Sequence, residues 1–331
     1  MVQIGTKHAH ATGAIRTMRS LDAIYEIVAI AEPDDERRQK LANDPNYKDL
    51  YICGVEEALS IEGLDAAVIE TEEKELTKYA RLAAERGLHI QMDKPGGEDV
   101  LEFEHLIREV EKKQLIIQLG YMYRFNPAVK KAFELVEKGI IGEVFSVETH
   151  MSIDLGEKAN NYISQFKGGM MYFLGCHLVD IVYRICGEPE KVIPQNCSID
   201  GSDCLNFGMT TYQYKNGVSI VRTSSREING FLRRQIVIIG TSGTIEISPI
   251  EVFVEENPDF LKTSLRLSVK DVSNSPNFDC STIMEFPNYR RYDDMFIHFA
   301  ELVNGLRQNA FTYEYELGLH RLLKKSCGEV D

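Results

Sequence analysis

The sequence predicts an α/β domain with a doubly wound parallel sheet over residues 1–120, followed by an α+β domain with an open, mostly antiparallel mixed sheet over residues 121–331. Three observations predict it. The 331 residues amount to about two domains of roughly 150 residues each. Up to Gly120, short β-rich apolar runs alternate with stretches whose apolar positions recur at i, i+3, i+4 and i+7. Beyond Gly120 the runs become longer and β-like, with hairpin-length breaks between them.

In the first half the strands are expected at 2–4, 27–31, 66–70, 88–92 and 115–119. A helix over 74–86 puts Leu76, Tyr79, Ala80 and Ala83 on one face, and Gly87 supplies the left-handed stop. A second helix, over 98–113, aligns Val100, Phe103, Ile107 and Val110 and carries acidic residues in its first turn, where they favour the helix dipole. In the second half a helix over 128–138 precedes strands at 143–151, 191–199, 205–214, 218–226 and 233–240, with Lys215-Asn216-Gly217 as a hairpin turn. Helices are expected over 170–186, 292–306 and 315–325.

Composition narrows the function classes. Hydrophobic residues make up 44% and charged residues 27%, the balance of an ordinary globular chain. With 37 Lys+Arg against 51 Asp+Glu the formal charge is −14, and no basic patch is segregated, so no nucleic-acid partner is expected. The seven cysteines are odd in number and never in C-x-x-C spacing, which suits a reducing compartment and excludes a zinc ribbon. With no basic leader and no apolar window near 18 residues, the expectation is a cytoplasmic protein without a membrane partner.

Three constellations carry chemistry. The turn after the first strand, Gly5-Thr6-Lys7-His8-Ala9-His10, stands where a dinucleotide fingerprint has G-x-G-x-x-G, and only Gly5 matches, Lys7 and His10 taking the other glycine positions. Glu32, at the end of the second strand, is placed to accept from a ribose hydroxyl and to repel a 2′-phosphate, favouring NAD over NADP; on spacing alone it equally suits a carboxylate capping the next helix. His8 and His10 also form an H-x-H pair of the kind that ligates metal, but no further histidines fall at successive strand ends, so no metal is expected. The second constellation, Asp93-Lys94-Pro95, sits at the end of a strand where an α/β sheet presents its ligand edge. In the third, Gly168-Gly169 lead into a helix on which His177 and Asp180 stand three apart, a spacing at which a carboxylate orients an imidazole for general-base work.

The order of Asp93-Lys94-Pro95, the stretch 120–127 (Gly-Tyr-Met-Tyr-Arg-Phe-Asn-Pro), Gly168-Gly169 leading to Gly175-Cys176-His177-Leu178-Val179-Asp180, and the stretch 240–247 resembles the glucose-fructose oxidoreductase / inositol dehydrogenase (Gfo/Idh/MocA) family over essentially the whole chain. The resemblance implies an N-terminal Rossmann domain holding a nicotinamide cofactor. It also implies a C-terminal domain whose open sheet serves as an oligomer interface, hence a homodimer or homotetramer, and a sugar, polyol or inositol-like substrate. By the match, Lys94 would touch both the nicotinamide ribose region and the reacting hydroxyl, and His177 would take the hydroxyl proton. The expected cofactor-binding set is Gly5, Thr6, Lys7, His8, Glu32, Thr71, Asp93, Lys94 and Met122, and the expected catalytic set is Lys94, His177 and Asp180.

Departures from the family pattern matter too. Asp93 stands where the family has glutamate, and Phe173 where many members have an aspartate completing a Lys-Asp-His set. Lys7 is expected to compensate for a missing loop glycine by placing its ammonium beside the pyrophosphate. Tyr123, Arg124, His150, Asp154, Lys167 and Phe173 are the expected substrate-side residues. The function expected is NAD-dependent hydride transfer to or from a secondary alcohol, with a non-catalytic NAD(H)-binding sensor as the alternative that Phe173 keeps open.

Overall fold

The computed structural model describes residues 1–270 and 280–329. Residues 271–279, and the last two of the expected second domain, lie outside the described residues. Tertiary contacts divide the chain into two compact units, Met1–Met122 with Tyr292–His320, and Tyr123–Arg291 with the end of the chain from Arg321. The segment 292–320, read from sequence with the second half, packs with the first. Its Met295 carbonyl accepts from Gln118 Nε2 at 2.9 Å, and the Tyr25 hydroxyl donates to the Phe296 carbonyl. Such contacts are set by tertiary structure and leave no periodic trace in sequence.

The first unit contains strands β1 (Val2–Ile4), β2 (Ala29–Ala31), β3 (Ile52–Cys53), β4 (Ala66–Ile69), β5 (His89–Met92) and β6 (Ile117–Leu119). They form one parallel sheet in the order β3-β2-β1-β4-β5-β6. Residues of β1, β2 and β4 are all buried, as parallel strands covered on both faces must be, which is why they read as apolar runs. The intervening helices are α1 (Ala11–Ser20), α2 (Asp35–Leu41), α3 (Val55–Leu59), α4 (Leu76–Glu85) and α5 (Val100–Lys112). Helix α4 buries the expected Leu76, Tyr79, Ala80 and Ala83 and ends at Gly87, whose φ of +77° only glycine adopts cheaply. Helix α5 starts where the Asp99 carboxylate accepts from the amides of Leu101 and Glu102.

In the second unit, α6 (Pro127–Glu137) is capped by Asn126 and leads into β7 (Val144–Ser152). After α7 (Asn160–Ile163), the helix expected over 170–186 is in two parts: a π-helical turn, Met171–Gly175, then α8 (Cys176–Cys186). The strands that follow are β8 (Lys191–Cys197), β9 (Phe207–Tyr214), β10 (Gly217–Ser224), β11 (Gln235–Gly240), β12 (Gly243–Ile247), β13 (Val252–Val254), β14 (Asn257–Lys262), β15 (Ser264–Val269) and β16 (Ser281–Glu285). Eight strands form an open sheet in the order β16-β15-β12-β11-β7-β10-β9-β8, antiparallel throughout except for β7 beside β10, while β13 and β14 form a separate pair. The predicted fold class is therefore correct, including the hairpin in which Tyr214 pairs with Gly217. Strands β12 to β16 went unpredicted. Pro258 inside β14 is a residue that demotes a strand reading, tolerated here in a two-stranded pair. Helices α9 (Asp293–Val303) and α10 (Tyr313–Ser326) close the chain, and the division between the units falls within α10.

Candidate active site

The order of the parallel sheet reverses between β1 and β4, and the carboxyl ends of strands at such a switch point are where an α/β sheet takes its ligand. Gly5 ends β1 there with φ +83°, and a Cβ on it would lie 2.5 Å from Thr71 Cγ2 and 2.8 Å from the Thr71 backbone. Glycine alone permits that approach. A cleft of about 220 Å³ opens beside it, lined by Gly5, Lys7, Glu32, Asp34, Thr71 and Tyr79 among others.

Glu32 is buried, accepting from the Thr6 hydroxyl at 2.6 Å and the Asp34 amide at 3.1 Å. The capping alternative falls to Asp34, whose side chain accepts from the Arg37 amide at the start of α2. Arg37 donates to the Thr6 hydroxyl and carbonyl and lies 3.7 Å from Glu32. Lys7, expected beside a pyrophosphate, lines this cleft and pairs with Glu72 at 3.2 Å. The glycine that packs α1 is Gly13, where a Cβ would meet the Tyr292 ring at 2.4 Å.

At the end of β5, Asp93 is buried among imidazoles. Its Oδ2 lies 2.9 Å from His8 Nδ1 and 2.9 Å from His10 Nδ1, while Oδ1 accepts from the Lys94 amide at 2.6 Å. Glu70, ending β4, places Oε2 3.7 Å from His8 Nδ1, and Glu73 places Oε1 3.5 Å from His8 Nε2. Burial and then the adjacent Asp93 carboxylate push Glu70 well above the usual carboxylate range. Burial opposes the Asp93 charge too, but the His10 and His8 imidazoles outweigh it and hold that carboxyl well below its usual range. Lys94 is buried directly after this cluster. Met122 is buried in the 3-10 turn Met122–Phe125.

In the second unit His177 lies buried on α8 with the Tyr123 ring edge-on to it at 5.1 Å. The Tyr123 hydroxyl donates to Glu251 at 2.7 Å and accepts from Arg234 at 2.9 Å; burial, then the Glu251 charge, pushes it up to about 12. Asp180, expected to orient His177, pairs with Arg124. Arg124 Nε lies 3.0 Å from each of its oxygens and Nη2 2.8 Å from Oδ1, all buried. A buried guanidinium demands such a carboxylate, so both residues are engaged in a structural pair. His150 belongs to another polar cluster, with Ser152 at 2.9 Å, Glu227 at 2.8 Å and Arg222 at 2.8 Å, and burial lowers its pKa. Asp154 and Lys167 are exposed. Phe173 stacks on Phe166 with ring centroids 6.1 Å apart and packs against the apolar group Ile163, Met170 and Cys204.

Sequence reasoning missed Glu70, Glu73, Glu251 and Arg234. The available signal was a carboxylate directly after an all-apolar parallel strand, in Glu70.

Residues 2–121 match the oxidoreductase family with an NAD-binding Rossmann fold, and residues 129–246 match the GFO/IDH/MocA C-terminal domain. The chain belongs to the Gfo/Idh/MocA family. Within it, the chain is 29% identical over 182 residues to D-xylose 1-dehydrogenase (NADP(+)) 2 of Haloferax volcanii, covering 54% of this chain and 55% of that protein, so that the match spans about half of that relative's length. It is 24% identical over 252 residues to myo-inositol 2-dehydrogenase of Thermotoga maritima, covering 73% and 72% of the two chains. Among solved structures, levoglucosan dehydrogenase in complex with NADH and levoglucosan superposes with a TM-score of 0.79 at 16% identity, covering 99% of this chain and 97% of that one, a likeness of fold. Gfo/Idh/MocA membership makes this chain an oxidoreductase with a Rossmann fold of the NAD(P)-binding kind. Among its described residues no helix is long and apolar enough to cross a membrane.

Proposed function

We propose that the chain transfers hydride between NAD(H) and a secondary alcohol of a sugar, polyol or inositol-like substrate. The observation that carries the cofactor reading is Glu32, a buried carboxylate on the cleft at the switch point, held by Thr6 and Asp34 with Gly5 and Thr71 beside it. A carboxylate there accepts from a ribose 2′-hydroxyl and repels a 2′-phosphate. Arg37 does not reverse this preference, because its guanidinium is engaged by Thr6. The NADP in the name of the Haloferax relative makes the preference a point to test.

Bound nicotinamide supplies the hydride acceptor or donor. The chain's own task is to hold the ribose, orient the carbinol and move one proton. Lys94 stabilises the developing alkoxide charge with its ammonium, and His177 accepts the hydroxyl proton on oxidation and returns it on reduction. Tyr123, edge-on to His177, fixes the ring plane. The family names among its relatives support a polyhydroxylated substrate.

A second reading, a sensor that binds NAD(H) without turnover, is favoured by Phe173, an apolar ring in an apolar cluster where many family members have an aspartate. Fluorescence titration with NADH, followed by an absorbance screen over sugars and polyols, separates the two. Turnover on any of them supports the enzyme, binding without turnover supports the sensor, and no binding defeats both.

A further inference from the structure

The cluster at the carboxyl ends of β1, β4 and β5 holds more acidic and imidazole groups than hydride transfer uses. One ring nitrogen each of His8 and His10 and a carboxylate oxygen of Asp93 all lie within 4.8 Å of one another. Asp93 Oδ2 is 2.9 Å from each imidazole nitrogen, close to the about 3.3 Å edge of a tetrahedron with zinc–ligand bonds of about 2.0–2.1 Å.

The donor atoms of the cluster crowd together in a buried setting. The His10 amide donates to His8 Nδ1 at 3.2 Å, and His8 Nε2 lies 3.5 Å from Glu73 Oε1. His8 Nδ1 also lies 2.9 Å from Asp93 Oδ2. Glu70 Oε2, also buried, lies 3.7 Å from His8 Nδ1. One carboxylate and two imidazoles thus bring three possible metal-ligand atoms together around one buried spot.

We propose that His8, His10 and Asp93 bind a first-row divalent transition metal, best matched by zinc. Mixed imidazole and carboxylate donors select such an ion over magnesium or calcium, which take oxygen ligands. Glu73, 3.5 Å from His8 Nε2, stands where an outer carboxylate backs a ligating histidine. The third donor comes from the end of β5 as an aspartate, which a search for additional histidines along the chain does not find. The site lies within the first unit and does not depend on the reading of hydride transfer.

The test uses the full chain, stripped with a chelator and titrated with Zn²⁺ against a chromophoric competitor, and separately with Co²⁺ while the visible d–d bands are read. One equivalent of Zn²⁺ per chain is expected, with tetrahedral Co²⁺ bands and a Tm that rises with free Zn²⁺. His8→Ala and Asp93→Asn are expected to lose at least about 100-fold in affinity, and Glu73→Gln about 10–100-fold. His10→Gln, at the more accessible of the two histidines, serves as the variant that keeps its fold by circular dichroism, and it too loses the Co²⁺ bands. Absence of stoichiometric binding by the wild-type chain, or unchanged binding in folded His10→Gln, overturns the proposal and leaves a cluster held by protons alone.

Discussion

Arg124 grips Asp180 side-on, with Nε 3.0 Å from both carboxylate oxygens and Nη2 2.8 Å from one of them, and both side chains are almost wholly withdrawn from water. The pair ties the 3-10 turn after β6 to the middle of α8, the helix that carries His177. Removing one member leaves the other charge buried and uncompensated. Asp180→Asn and Arg124→Met are each expected to cost about 3–5 kcal/mol, and the double substitution less than their sum. Urea unfolding midpoints of the four chains check this; additive losses would show that the two side chains do not act as a pair.

Lys94→Ala should lower kcat/KM by at least roughly 10²-fold, as loss of a positioned charge-stabilising group does, with NADH affinity changed far less. A near-wild-type rate on an accepted substrate removes Lys94 from the proposed mechanism.

The proposed preference for NAD over NADP rests on Glu32. Glu32→Ala removes a charged acceptor from the ribose side of the cleft and a repulsive charge from the place of a 2′-phosphate. NAD⁺ affinity should fall by about 10–100-fold, the worth of a hydrogen bond to a charged group, while NADP⁺ affinity rises or holds. Dissociation constants for both cofactors, measured on wild type and variant, check the reversal. A parallel fall for both would mean that Glu32 acts only by holding Thr6 and the Asp34 amide.

How much of this was legible in sequence follows from the range of each interaction. The strands of the first unit were readable because burial on both faces writes an apolar run locally, and Glu32 because its position at a strand end is also local. Strand β3, two residues long, is too short to write any period. The spacing of His177 and Asp180 was read correctly as one helical face, yet it could not show that Arg124, 56 residues earlier, claims the carboxylate. Likewise Asp93 sits 83 residues from His10, and only the folded sheet brings the two together. The π-helical turn at Met171–Gly175 shifts the helix register around Phe173, a change that counting by 3.6 does not reveal.

Phe173 tests whether the family aspartate can simply be restored. The ring stacks on Phe166, meets Tyr162 edge-on at 5.7 Å and borders the buried Ile163, Met170 and Cys204. Phe173→Asp would set a carboxylate against this apolar surface, so a loss of about 2–4 kcal/mol is expected, without gain in turnover. Thermal unfolding with parallel rate assays decides it: an unchanged Tm with raised kcat would show that the position remains open to catalysis.

Asp200 gives the second unit a defined acid sensitivity. Its carboxylate accepts from the Ser202 hydroxyl at 2.7 Å and amide at 3.2 Å, from Asn160 at 2.9 Å, from Ser198 at 3.0 Å and from Asn206 at 2.9 Å, and it pairs with Arg226 at 2.8 Å. These donors, the Ser202 hydroxyl foremost, hold its pKa well below the usual carboxylate range. A folded-state value depressed in this way contributes stability that is fully present above the unfolded value of about 3.9 and is lost as pH falls below it towards the folded value. Asp200→Asn should therefore be less stable than wild type at pH 7, and the gap should narrow as pH drops from about 5 to 2. Urea midpoints for both chains at pH 7, 4 and 3 measure it. A gap that stays constant across that range would mean that Asp200 contributes by geometry alone, since the amide would then reproduce everything but the charge.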